Sequence, residues 1–128
     1  MTPPTTAVQL RVTWVKDRSG RWCQLNTVDL SHKALEVAGI YVIWCGPTTL
    51  EKAAVVYVGQ GAVKDRLDDH RDDPRIQKYA YRTLYVTWAA VEASKRDGVE
   101  AYLSKRYAPL VGERRPVAAP ISVNSPWE

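Results

Sequence analysis

The chain has 128 residues, of which 45% are hydrophobic and 25% charged, and its formal net charge is +4. This length and composition allow one hydrophobic core without disulfides and exclude a wholly disordered protein. No run of about 18 apolar residues and no signal-peptide pattern occurs, so we expect a cytoplasmic protein without a membrane partner. Cys23 and Cys45 do not form CxxC pairs, so two ordinary thiols are expected.

The first part of the chain predicts an N-terminal β-hairpin. Residues 8–15 alternate apolar and polar side chains, and residues 17–20 (Asp-Arg-Ser-Gly) supply turn chemistry. Residues 21–25 would then return as the second strand.

A short helix is expected over residues 28–37, with Asp29 or Ser31 as its cap. Together with the hairpin it would complete an extension, residues 1–38, packed on the core. Residues 39–128 would hold that core and a C-terminal tail.

The core pattern predicts three strands and two helices. Residues 39–45 and 54–59 are dense in β-branched and aromatic side chains and indicate a hairpin of buried strands. Residues 62–71 have helical spacing, residues 83–91 predict a third strand, and residues 97–107 a second helix. The order β-β-α-β-α is that of an α+β domain, a small three-stranded central sheet flanked by helices, followed by an extended, proline-containing tail.

Positive side chains concentrate in two stretches, and with the small positive net charge they favour an anionic partner such as nucleic acid. A solvated charged face explains them equally well. The residues are Arg66, Arg71, Arg75, Lys78 and Arg82, and then Lys95, Arg96, Lys105, Arg106, Arg114 and Arg115.

An ordered set of motifs runs from residue 39 to residue 124. Its members are Gly39-Ile40-Tyr41, Tyr57-Val58-Gly59, the turn Gly59-Gln60-Gly61, Arg66 and His70 on one predicted helix, Glu100 on the next, and Asn124. Each tripeptide alone is common, but the order resembles the GIY-YIG nuclease superfamily, with Val58 in place of isoleucine. The resemblance implies a metal-dependent endonuclease that hydrolyses phosphodiester bonds, with DNA favoured over RNA.

By this resemblance, Tyr41 is expected to act as general base or to position the water, and Tyr57 to orient phosphate or nucleophile. The ordinary pKa of a phenol, about 10, is too high for a base, so the resemblance implies a positive field that lowers it. The alternative is that both tyrosines only pack the core.

The resemblance assigns the remaining chemistry to two helices. Arg66 would bind the scissile phosphate, and His70, one turn later on the same face, would reach the same group. Glu100 would be the single carboxylate ligand of Mg²⁺ or Mn²⁺, a cation that keeps most of its waters. Glu92 is the rival for this role.

Asn124 is expected to fix a loop or a water through its amide. Here the sequence departs from the family pattern, because residues 110–122 intervene between the second helix and the asparagine. Arg114 and Arg115 lie in this insertion and could touch substrate.

Two glycines after the second strand, Gly59 and Gly61, also imitate the opening of a dinucleotide-binding fold. Position 64 is lysine where that motif needs glycine, and no βαβ repeat follows. The glycines fit better as a turn that lets a helix N-terminus approach phosphate. The expected nucleic-acid contacts are therefore Gly59, Gly61, Lys64, Arg71, Arg75, Lys78, Arg114 and Arg115.

Two other functions stay open on the sequence alone. One is a catalytically silent module that binds nucleic acid, and the other is a protein-interaction domain that uses a tryptophan-rich surface. Neither flank contains a zinc finger or a helix-turn-helix, so specificity would come from core decorations, a homodimer, a specificity partner, or recognition of DNA structure rather than sequence.

Overall fold

A strand that is buried along almost its whole length, residues 38–45, forms the centre of the sheet. The computed structural model describes residues 9–112 and 117–127. The regular elements in these ranges are β1 (Cys23–Gln24), β2 (Ala38–Cys45), β3 (Ala54–Ala62), α1 (Val63–Arg71), α2 (Pro74–Gln77), β4 (Leu84–Ala90) and α3 (Ala93–Tyr107), with 3-10 turns at Lys33–Leu35 and Ala80–Arg82. The α+β class is confirmed, but the sheet has four strands rather than three.

The strand order is β1-β4-β2-β3, and every neighbouring pair is antiparallel. The predicted hairpin of β2 and β3 is confirmed, and β4 pairs with the other side of β2. β3 is consequently an edge strand of the sheet. Side chains from both faces of the sheet can therefore meet around β3.

The two faces of the sheet carry separate clusters of buried side chains. On one face, Tyr41 and Trp88 pack with Leu67 of α1 and with Leu25 and Leu35 from the N-terminal part of the chain. Ile40 and Val42 point to the opposite face and pack with α3 and the C-terminal tail. The continuous apolar run of β2 therefore supplies both layers of the core, since successive side chains of a strand point to opposite faces.

The predicted N-terminal hairpin is wrong. Residues 9–15 form no strand, and Leu10 makes an isolated parallel bridge with Val123. The turn chemistry is present, because Oδ1 of Asp17 accepts hydrogen bonds from the backbone nitrogens of Ser19 and Arg21. The strand that follows, β1, pairs instead with the outer edge of β4, where the backbone nitrogen of Val15 also donates to the carbonyl of Trp88 at 3.0 Å.

The predicted helix over residues 28–37 is reduced to the 3-10 turn Lys33–Leu35. The side chain of Asp29 accepts from the backbone nitrogen and the hydroxyl of Ser31, and His32 is the residue that caps the turn. Short polar side chains of this kind offer the backbone local hydrogen bonds that compete with a regular helix.

α3 begins at Ala93, four residues before the predicted start, so Gly98 lies inside the helix. A Cβ on Gly98 would lie 2.5 Å from Cγ1 of Ile121 and 2.8 Å from the carbonyl oxygen of Ala119. The glycine therefore allows the C-terminal tail to contact the helix backbone directly. α3 has 15 residues and is the longest helix of the described ranges, where no helix is long and apolar enough to cross a membrane.

Asn124 ties the C-terminal tail to the N-terminal segment. Its Oδ1 accepts from the backbone nitrogen of Val12 at 2.8 Å, and its Nδ2 donates to the carbonyl of the same residue at 3.0 Å. The indole nitrogen of Trp14 donates to the backbone carbonyl of Asn124 at 2.8 Å. The side-chain amide of Asn124 therefore satisfies both backbone polar groups of Val12, as a residue of a neighbouring strand would.

We expect Asn124→Ala to lower the free energy of unfolding by about 1–3 kcal/mol, because it leaves the polar groups of Val12 without their partner. Urea denaturation monitored by tryptophan fluorescence measures this change. Asn26→Ala is the matched control, because Asn26 exchanges hydrogen bonds only with the side chain of Gln77 and is exposed. An equal loss in both variants would contradict the assigned role of Asn124.

Candidate active site

Tyr41 is completely buried at the centre of the sheet, where its register partner on β3 is Gly59. A Cβ on Gly59 would lie 2.3 Å from the hydroxyl oxygen of Tyr41 and 2.7 Å from Cε1 of Tyr57. No side chain larger than hydrogen fits there without moving both rings. The glycine that ends the Tyr57-Val58-Gly59 motif therefore makes room for the tyrosine of Gly39-Ile40-Tyr41.

Tyr57 and His70 pack around the ring of Tyr41. The two tyrosine rings are nearly parallel, at 14°, with centroids 6.0 Å apart. The imidazole of His70 lies 5.5 Å from the Tyr41 ring and 4.5 Å from the Tyr57 ring, measured between centroids. Three of the residues expected in the site are thus in one aromatic cluster on the α1 side of the sheet.

A chain of hydrogen bonds links α1 to Tyr41. Nε of Arg66 donates to the Tyr41 hydroxyl at 3.3 Å, and the hydroxyl lies 2.7 Å from Nε2 of His70. An arginine can only donate, so the phenol oxygen accepts from Arg66. We assign the phenol proton to the bond with Nε2 of His70, which places the imidazole proton on Nδ1.

Burial determines the protonation states of this pair. Burial, and next the positive charge of Arg66, lower the pKa of His70 to about 4, so the imidazole is neutral at neutral pH. Burial and then the neighbouring Tyr57 raise the pKa of Tyr41 above its usual value, although Arg66 acts in the opposite direction. The expected lowering of the phenol pKa is therefore not found in the protein by itself.

Gly61 shapes the junction between β3 and α1. Its φ angle is +125°, a region that favours glycine, and the aliphatic part of Arg66 lies directly over it. α1 starts two residues later, and the backbone nitrogen of Val63 donates to the carbonyl of Val37. Gly61 therefore does not form a separate turn. It lies within β3, which ends at Ala62 and is followed directly by α1, the helix that carries Arg66 and His70.

Glu100 approaches the same region from α3, on the other face of the sheet. It is half-buried, and burial together with the negative charge of Asp97 raises its pKa to about 7. A hydrogen bond from Gln60 and the charge of Arg66 act in the opposite direction. The charge of Arg66 on α1 therefore acts on Glu100 of α3 across the edge strand.

Gln60 is a site residue to which the sequence assigned no role. It lies on β3 directly after Gly59, and its Nε2 donates to Oδ1 of Asp97 at 2.8 Å, while its side chain also acts to lower the pKa of Glu100. It therefore joins the edge strand to both acids of α3. The signal in the sequence was weak, because a glutamine between two glycines is equally typical of a turn.

Glu92, the alternative metal ligand, lies apart from this group. It is exposed, precedes the first residue of α3, and forms an ion pair with Lys95 at 2.9 Å. Of the two candidate metal ligands, Glu100 and not Glu92 is the one whose carboxylate lies within the influence of Arg66 and Gln60.

The oxygen atoms around Glu100 fit a hard divalent cation that keeps most of its waters. Within residues 9–112 and 117–127, no three His, Cys, Asp or Glu side chains cluster as metal ligands. A half-buried carboxylate beside a second acid nevertheless carries negative charge that a cation would compensate, and the amide oxygen of Gln60 is a further ligand of the right type.

Asn124, a predicted catalytic residue, has hydrogen-bond partners outside the cluster of Tyr41, Tyr57 and His70. Its side-chain amide is occupied by the backbone of Val12, as described above, and its carbonyl by Trp14. These contacts connect the two terminal segments rather than the cluster at Tyr41.

The predicted basic surface divides into residues with different surroundings. Arg71 donates to the carbonyls of Leu25 and Val28, which ties α1 to the N-terminal segment, so a phosphate would have to compete with these bonds. Arg82 is 7% exposed and pairs with Glu51 at 2.9 Å.

Three further members of the predicted basic surface are exposed. Arg75 pairs with Asp73, the residue that caps α2, at 2.9 Å, and Lys78 lies over the ring of Tyr79. Lys64 is also exposed, in the first turn of α1. Arg114 and Arg115 lie outside the described residues.

Comparison with known proteins adds no assignment. No protein-family model matches the chain, and neither a curated protein nor a solved structure matches it. The function is therefore inferred from the geometry of the site.

We expect Asp97→Asn to lower the pKa of Glu100 from about 7, because the substitution removes a negative charge and keeps the oxygen that Gln60 binds. The pKa should stay above that of a free glutamate, since burial persists. NMR titration of the Glu100 carboxyl carbon measures the change. Glu92→Gln is the control and should leave the titration unchanged, and an unaltered Glu100 pKa in Asp97→Asn would contradict the coupling.

Proposed function

We propose that the protein is a metal-dependent endonuclease of the GIY-YIG type that hydrolyses phosphodiester bonds of DNA. The observation that carries the proposal is the hydrogen-bonded chain Arg66–Tyr41–His70 next to a half-buried Glu100 with a raised pKa. Perturbed titratable groups that converge from separate elements are typical of catalytic sites. The order of the motifs along the chain supports the same family.

His70 gives the Tyr41 proton a destination. A neutral phenol is not a base, and burial makes its direct ionisation harder. Because neutral His70 accepts the hydrogen bond of the phenol, Tyr41 can pass its proton to Nε2 as its oxygen takes a proton from an attacking water, once substrate binding admits that water to the buried hydroxyl. In this step the phenol never carries a full negative charge, so the raised pKa of Tyr41 does not prevent it.

Arg66 is placed to serve both the tyrosine and the phosphate. Its Nε holds the Tyr41 oxygen, while 40% of its side chain is exposed. Its nearest acid, Asp69, lies 3.9 Å away and is itself largely exposed, so this ion pair is weak. The planar guanidinium can therefore bind phosphate oxygens and stabilise the charge that develops on them.

Glu100 would hold the divalent cation, with Gln60 and Asp97 positioning its carboxylate. When bound, Mg²⁺ or Mn²⁺ supplies Lewis-acid stabilisation of the phosphate oxygens and of the leaving group. Ionisation of Glu100 is the requirement that the chain itself imposes, because its pKa is about 7. We therefore expect activity to rise with pH on the acidic side, while His70 is already neutral there.

We expect cleavage of nucleic acid in Mg²⁺ or Mn²⁺, and no cleavage in EDTA or in Glu100→Ala. The assay compares plasmid, branched and single-stranded DNA with RNA, using purified protein. Glu92→Ala is the matched control and should cut like the wild type. Binding of nucleic acid without cleavage of any substrate would refute the enzyme and favour a silent binding module. Full activity of Glu100→Ala would refute the metal assignment.

We expect Tyr41→Phe to reduce the cleavage rate by about a hundredfold or more, because the ring remains while the proton-transfer group is lost. Tyr81→Phe, which alters an exposed phenol hydrogen-bonded only to Glu51, should retain activity. Single-turnover kinetics below the unfolding temperature, with circular dichroism as a check of folding, measure the difference. Wild-type activity of a folded Tyr41→Phe would show that this tyrosine only packs the core.

A further inference from the structure

A concave surface lies at the C-terminal end of α3, about two helical turns beyond Glu100. The pocket has a volume of about 480 Å³ and opens between the end of α3, the start of β3 and the C-terminal tail. Its walls are Trp44, Val55, Tyr107, Leu110 and Trp127, with alanine side chains between them. We call this surface the aromatic pocket.

The aromatic pocket is built of rings that hold one another in place and remain partly accessible. Trp127 meets Trp44 edge to face at a centroid distance of 5.2 Å, and meets Tyr107 in the same way at 5.3 Å. Trp127 is nevertheless 42% exposed, and Leu110 is 51% exposed. A fixed and partly exposed tryptophan is suited to stacking against a flat apolar guest at a small entropic cost.

Charge around the aromatic pocket decides what kind of guest it can accept. Arg106 is exposed in the last turn of α3, and its guanidinium lies over the ring of Tyr107, a wall of the pocket. Exposed Lys52 directly precedes Ala53, which also lines the pocket. A nearby acid, Glu51, is engaged by Arg82. Rings could bind a quaternary ammonium group, but a basic rim disfavours a cation and favours a flat guest that carries negative charge.

The aromatic pocket and the proposed catalytic site lie on one helix. Tyr107 follows Glu100 by two turns, so both side chains leave the same side of α3 and are separated by about 10 Å along its axis. A strand with one phosphate at Glu100 could therefore place a neighbouring base at the pocket.

We propose that the aromatic pocket binds an unpaired base of a nucleic-acid strand that runs along α3 from the Glu100 site. The inference rests on the proposed function and deepens it, because it assigns the enzyme to substrates with a single-stranded segment beside the cleaved bond. Base stacking on Trp127 provides the apolar contact, and Arg106 and Lys52 provide the contacts to phosphate. Stacking does not discriminate strongly among bases, so structure rather than sequence determines the preference.

Equilibrium binding tests the inference without any cleavage step. Fluorescence anisotropy, recorded in EDTA, compares a labelled single-stranded oligodeoxynucleotide with a blunt duplex. We expect Trp127→Ala to weaken single-strand binding about tenfold, Trp127→Phe to retain most of it, and duplex binding to change little in either variant. Tyr81→Ala is the aromatic control outside the pocket, and it should bind like the wild type.

A second variant guards against a folding defect in Trp127→Ala. Leu110→Glu alters a half-exposed wall and adds a negative charge, so it should weaken single-strand binding while the unfolding transition is unchanged. Unaltered single-strand binding in folded Trp127→Ala and Leu110→Glu would overturn the inference. The inference would also be overturned if the wild type formed a dimer in sedimentation experiments and both variants lost it while their single-strand binding stayed unaffected. The pocket would then be a self-association surface.

The same measurements separate this inference from the proposed function. If the wild-type protein cleaves no substrate but binds the single-stranded oligonucleotide, and if this binding depends on Trp127, the enzyme is refuted and the pocket is supported. Cleavage of duplex and single-stranded substrates at equal rates by wild type and Trp127→Ala, with equal affinities, would support the enzyme and refute the pocket.

Discussion

The close approach of Tyr41 to Gly59 is the contact on which the rest of the site depends. Because position 59 has no side chain, the Tyr41 ring can lie across the neighbouring strand with its hydroxyl above the glycine backbone. In that position the hydroxyl meets both His70 and Arg66, which α1 presents one turn apart. A side chain at position 59 would displace the ring and with it the whole hydrogen-bonded chain.

The location of β3 at the edge of the sheet explains how two faces contribute to one site. In the interior of a sheet, side chains on opposite faces are separated by the backbone and its neighbours. Around an edge strand they can meet, and Gln60 joins the two acids of α3 to the strand whose other face carries Tyr57. The same seam between β3 and α3 ends in the aromatic pocket at Trp127, so catalytic and binding surfaces share one edge of the fold.

Burial, more than charge pairing, determines the acid–base properties of the cluster. It lowers the pKa of His70 to about 4 and raises that of Glu100 to about 7, in each case as the largest cause. Both shifts favour the neutral form of the side chain. His70 is thus neutral and able to accept the hydrogen bond of the Tyr41 phenol, and the negative charge at Glu100 is unfavourable until a cation balances it.

Local patterns in the sequence determined β2, β3, α1 and β4 closely, because strand and helix periodicity depends on neighbouring residues. They also placed Arg66 and His70 on one helix face. Tertiary structure alone decided that β1 would pair with β4, that Gln60 would reach α3, and that Asn124 would bind Val12, because each contact joins residues distant in sequence. The pKa shifts of His70 and Glu100 were likewise decided by the tertiary structure, since burial is a property of the folded chain.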